Sequence, residues 1–69
     1  MSNATLYEYA ILWHPNEKQQ EEGRKSLILV RPKVILADNE QKVLMSAAMS
    51  IPTDYQDQLD QVDIVVRPF

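Results

Sequence analysis

Four aspartates stand three residues apart in the stretch TDYQDQLDQVD: Asp54, Asp57, Asp60 and Asp63. Carboxylates in such a row hold a divalent cation, share a proton in acid–base chemistry, or face water. The spacing separates these options. Each three-residue step turns a helix by about 300°, so Asp54, Asp57 and Asp60 spread over about 120° of surface instead of converging. Asp63 lies beyond them, in what reads as a strand. The stretch also lacks the D-x-D-x-D-G core and turn glycine of a calcium loop. Asp54 sits where a helix dipole favours an anion, which accounts for it without any ligand. The expectation is a solvated acidic helix face of Asp54, Asp57 and Asp60, available to a basic partner, with no metal.

His14 is the only histidine, and there is no cysteine. Two-histidine and thiolate metal sites are therefore excluded within one chain, as is a thiol nucleophile. As a general base His14 needs a carboxylate beside it, and Glu17 is the nearest in sequence. No serine stands in a G-x-S-x-G elbow. A chain with Gly23 as its single glycine cannot form the usual phosphate cradle. No catalytic residue, cofactor or metal is expected, and the chain reads as a non-enzyme.

The 69 residues carry a net charge of −3, with a pI near 4.9. The seven basic residues are dispersed and form no stripe for nucleic-acid phosphates. No apolar run approaches the ~20 residues that span a bilayer, and the first residues lack a signal-peptide pattern. An intracellular protein without nucleic-acid or membrane partners is expected. A domain this small buries only about 60% of its unfolded surface, and with no disulfide available, oligomerisation is the common way to enlarge its core.

The elements that position these residues follow from periodicity. LYEYAILW (6–13) is a strand, apolar on both parities. HPNEKQQEEGRKS is polar and punctuated by Pro15 and Gly23, so residues 14–25 read as a long loop. SLILV and KVILA flank Arg31-Pro32. They form either one strand bent at Pro32 or two strands about a turn, and the bent edge strand is favoured because proline offers no N–H. DNEQKVLMSAAMSIP then takes a helical period. Asp38 is the expected N-cap, with Gln41 completing a capping box, and Leu44, Ala47, Ala48 and Ile51 form the buried stripe, widened by Met45 and Met49. Pro52 stops the helix after about 12 residues. Thr53 and Gln56 repeat the capping spacing, predicting a short second helix over 54–60 with Tyr55 and Leu59 inward. VDIVVRPF closes the chain as a strand, with Val62, Ile64 and Val66 on one face. The expected fold is a single α+β domain over 1–69, with residues 1–5 flexible. It is a mostly antiparallel sheet of three to four strands with one main helix on one face, in the order β-β(β)-α-short α-β.

One short helix covers one face of such a sheet, yet the strands are apolar on both. Tyr7, Tyr9, Ile11 and Trp13 are therefore expected at an interface on the uncovered face, where Tyr and Trp are frequent anchors. A homo-oligomer follows, a dimer in the first instance.

Three segments, LYEYAILWHP, VILADNEQKVLMSAA with IPTDY, and LDQVDIVVRPF, resemble small uncharacterised proteins encoded by tailed bacteriophages and prophages. The shared features are an aromatic first strand, an ILA-D-x-E junction and a VRPF-like end. The resemblance implies no activity and no functional residues. It implies action in a bacterial host cytoplasm or in a virion, as an assembly or structural accessory protein that binds itself, another phage protein or a host protein. The alternative is a regulatory binder that meets a host enzyme through the acidic face.

Overall fold

The central strand is the aromatic one. In the computed structural model, which describes residues 4–69, β1 (Thr5–Trp13) lies between β2 (Leu27–Ala37) and β3 (Val62–Pro68). It pairs antiparallel with both. β2 and β3 therefore run parallel to each other, and the chain must cross the sheet to pass from one to the other. The crossing carries α2 (Glu40–Met49) and two 3-10 turns, Thr53–Tyr55 and Leu59–Gln61. A crossover of this kind lies on one face, which is why one side of the sheet is covered. The expected α+β architecture forms, with three of the three to four strands anticipated. Of the five leading residues expected to be flexible, 1–3 lie outside the described residues, whereas Thr5 belongs to β1.

β2 is one strand across Arg31-Pro32, as favoured from the sequence, and Pro32 sits on an edge strand. Two register irregularities lie opposite this region, between Tyr9 and Ile11 and between Ile11 and Leu12. They absorb the extra residues and bend the strand. β3, by contrast, pairs with β1 without a break from Val62↔Trp13 to Pro68↔Tyr7.

The polar segment after β1 is more ordered than its composition suggests. It contains a five-residue helix, α1 (Glu17–Glu21), opened by a complete capping box. The Gln19 N–H donates to the Asn16 Oδ1 at 2.8 Å, and the Asn16 N–H donates to the Gln19 Oε1 at 2.9 Å. Gly23, at φ 87°, ends it. The Gly23 N–H reaches the Gln20 carbonyl and the Arg24 N–H the Gln19 carbonyl, the two bonds of a Schellman cap. That turn sets the Arg24 guanidinium over the Trp13 ring, 4.8 Å from its centroid.

Two details of α2 depart from expectation. Its N-cap is Asn39, whose Oδ1 accepts from the Lys42 N–H at 3.0 Å, while Asp38 pairs instead with the Lys42 Nζ at 2.6 Å. The buried stripe is Val43, Ala47 and Ile51, spaced four apart, whereas Leu44, Ala48, Met45 and Met49 are exposed. The helix is thus rolled by about one residue from the expected orientation. The side chain chosen for the sheet is β-branched Val43, with small Ala47 permitting close approach. Replacing Asn39 by alanine should cost about 1 kcal/mol, read as a lowered urea midpoint. A silent Asn39→Ala would mean that the cap lies elsewhere.

The core joins Tyr9 and Ile11 to Val43, Ala47 and Ile51, with Val62, Ile64 and Val66 packed against it. The inward row of β3 is the expected one. The domain is long and thin: its Cα extents are 51 × 20 × 14 Å and its radius of gyration is 13.8 Å, against about 11 Å for a compact chain of this length. A thickness of 14 Å holds one sheet and one helix and no third layer.

Candidate functional site

The sheet face away from α2 is open. The register sets Leu6 beside Leu36, Glu8 between Val34 and Arg67, and Ala10 beside Val65. Next to these, Leu12 lies between Ile28 and Asp63. Leu6, Val34 and Val65 are exposed, and Leu36 and Ile28 remain 65% and 63% accessible. Small Ala10 leaves a shallow hollow of about 250 Å³, bounded by Glu8, Leu12, Pro32, Val65 and Arg67. One ion pair crosses the face: the Glu8 Oε1 accepts from the Arg67 Nε at 2.8 Å and from Nη2 at 2.5 Å. The two charges neutralise each other, and apart from exposed Asp63 beside Leu12 the rest of the face is mostly apolar.

This arrangement corrects the expected interface by one residue parity. Tyr9, Ile11 and Trp13 are buried, and Tyr7 is half-buried against the same core. They lie under α2 and the 3-10 turns, so they are not a free surface. The physical reason is that both parities of β1 are apolar, but the aromatic row is bulkier and carries no charge. It gains more from the single available cover than the row containing Glu8 does. Trp13 illustrates this. Its indole N–H donates to the Gln58 Oε1 at 3.0 Å, its ring meets Tyr55 at a centroid distance of 6.2 Å, and Arg24 closes the box.

The acidic residues do not form one helix face. Asp54 lies in the first 3-10 turn, Asp60 in the second, and Asp57 in the turn between them. All three are exposed. The capping box expected from Thr53 and Gln56 does not form: neither turn has a side-chain cap, and the Gln56 Nε2 donates to the Ile51 carbonyl at 2.9 Å. Tyr55 faces the core as expected, while Leu59 does not. Among the described residues, no three of His, Asp and Glu are grouped as a metal would need. Nor is any helix among the described residues long and apolar enough to cross a membrane.

His14 has neighbours that sequence spacing did not indicate. Its Nδ1 lies 2.9 Å from the Ser26 Oγ, and its Nε2 lies 3.8 Å from the Asp63 Oδ2. Glu17, the nearest carboxylate in sequence, opens α1 instead. The three residue types are those of a hydrolytic triad, but the carboxylate is beyond hydrogen-bond reach of the ring. The His14 and Asp63 side chains are 49% and 59% exposed, so water enters freely. The geometry is that of a surface hydrogen bond with a charge nearby. The same corner is held by Gln61, whose Nε2 donates to the His14 carbonyl at 3.0 Å and to the Gln19 Oε1 at 2.7 Å.

The chain is thus a small α+β domain whose sheet has one covered and one open face. No family model, curated protein or solved structure matches it.

Proposed function

We propose that the protein is a non-enzymatic protein-interaction module that self-associates through its sheet. One observation carries the reading: among the described residues, none forms a layer over the largely apolar sheet face opposite α2. A continuous row of half-exposed Leu, Ile and Val side chains loses free energy in water and regains it on contact with another surface, at about 25 cal/mol per Å² removed from water. The resemblance to tailed-phage and prophage proteins supports a role as an assembly or structural accessory protein, in the host cytoplasm or the virion. The chemistry of the open face suits this role. Its single ion pair is already satisfied internally, so its contacts with a partner are mainly apolar.

The test is size-exclusion chromatography with light scattering over a hundredfold concentration range. The expected result is a dimer that persists on dilution into the micromolar range. A monomer at every concentration would sink the self-association.

A second reading is favoured by a different observation, the exposure of Asp54, Asp57 and Asp60 on adjoining turns. In it the protein binds a basic patch on a host enzyme and alters that enzyme's activity. Such binding weakens steeply with ionic strength, so partner capture that is unchanged between low and high salt would count against it.

A further inference from the structure

We infer that two copies pair antiparallel along the outer edge of β3, about a two-fold axis at Val65, and join their sheets into one of six strands. The inference rests on the self-association proposed above and specifies its geometry.

The phase of the β1–β3 ladder shows which backbone groups are free to pair. The His14 N–H donates to the Gln61 carbonyl at 2.8 Å at one end, and the Phe69 N–H to the Leu6 carbonyl at 3.0 Å at the other. Hydrogen bonding in an antiparallel pair alternates along the strand, so the odd-numbered residues of β3 exchange with β1 and the even-numbered ones turn outward. The Val62 N–H is taken by the Leu59 carbonyl, and Pro68 has no N–H. Ile64 and Val66 remain, each with a donor and an acceptor on the free edge, and among the described residues nothing takes them.

An antiparallel copy of β3 can meet this edge in three registers, centred on Ile64, Val65 or Val66. Only the register at Val65 lets Ile64 and Val66 of each copy exchange complete pairs of hydrogen bonds. The same register sets Asp63 of one copy opposite Arg67 of the other, twice, at non-hydrogen-bonded positions where side chains lie closest. In the other two registers Asp63 meets an uncharged residue. Backbone and charge therefore select the same alignment independently. It extends a row of alternating charge across the open face, from Glu8 through Arg67 to Asp63 of the second copy.

The other edge is less suited to pairing. β2 carries Pro32 at its middle between Arg31 and Lys33, beside the two register irregularities, and these are features that deter edge pairing. Edge pairing doubles the open face and leaves it on one side of the joined sheet, available to another protein.

The chain has no cysteine, so Val65→Cys introduces a single thiol at the axis. Non-hydrogen-bonded partners have Cα atoms about 4.5 Å apart, within disulfide range. Oxidised glutathione then oxidises the two thiols to one disulfide and is itself reduced to two glutathione thiols. Leu36→Cys, exposed on the same face but on the far strand, is the comparison. The expected result on a non-reducing gel is about tenfold more covalent dimer for Val65→Cys than for Leu36→Cys, because only the former places its sulfurs within reach. If Leu36→Cys cross-links as well or better, the edge geometry is wrong although self-association stands. If neither cross-links and both remain monomeric by light scattering, both ideas fail.

A second measurement is independent of the thiol. Asp63→Arg and Arg67→Asp each oppose like charges in a homodimer and should be monomeric, whereas mixed in equal amounts they should form a one-to-one dimer. A mixture that stays monomeric, with both variants folded by circular dichroism, overturns the Asp63–Arg67 register.

Discussion

Trp13→Ala should leave the protein unfolded at 25 °C. Removing a fully buried tryptophan costs about 3–5 kcal/mol, and a core of this size supplies only about 3–5 kcal/mol in total. The cavity is only part of the loss. The Gln58 Oε1 would lose the indole N–H that it accepts, and Arg24 and Tyr55 would lose the ring they pack against. Those three side chains come from the segment after α1 and from the 3-10 region, so Trp13 fastens both connections to the end of the sheet. Far-UV circular dichroism with urea titration is the measurement, because the substitution removes the only tryptophan. Trp13→Phe keeps most of the volume and should unfold at a lower urea concentration than the wild type while still folding. A native spectrum and an unchanged midpoint for Trp13→Ala would show that the box around the indole is not what holds this end together.

The second large effect discriminates between the two faces of the sheet. Ile11→Ala, at the centre of the middle strand beneath Val43 and Ala47, should cost about 2–5 kcal/mol. Leu36→Ala, on the open face, should change the stability of the monomer by no more than about 0.5 kcal/mol. Both residues are large aliphatics in strands of one sheet, so propensity does not separate them; only the position of α2 does. Equal costs, measured by urea unfolding at concentrations low enough to keep the chain monomeric, would mean that the open face is covered from within. At high concentration Leu36→Ala should leave association along the β3 edge intact, because β2 is the far strand of the sheet, and light scattering reads this directly.

Much of this architecture was legible because it is local. The apolar runs of β1 and β3, the alternation of Val62, Ile64 and Val66, and the missing N–H of Pro32 are properties of short stretches, and each appears where the pattern puts it. The same holds for the existence of α2 and its termination before Pro52. Helix α1 was legible too, since Asn16 and Gln19 stand at capping-box spacing, but the surrounding polarity obscured it. The cap of α2 lay one residue from the obvious choice because Asp38 and Asn39 are both good caps. Where the chain leaves β2 decides between them.

The relations between segments were not legible. Ser26 and Asp63 lie 12 and 49 positions from His14, and the antiparallel pairing alone brings them to its ring. The acidic run reads as one helix in isolation and becomes two 3-10 turns, because the chain must reach the start of β3 beside Trp13. By itself, then, the sequence determined the strands, the main helix, the class of fold and the presence of more apolar surface than one helix can cover. The tertiary structure alone decided which surface that is. β1 is apolar on both sides, and a crossover connection covers only one. Once α2 lay over the aromatic row, Tyr9, Ile11 and Trp13 became core, and Leu6, Leu36, Ile28 and Val65 were left facing water.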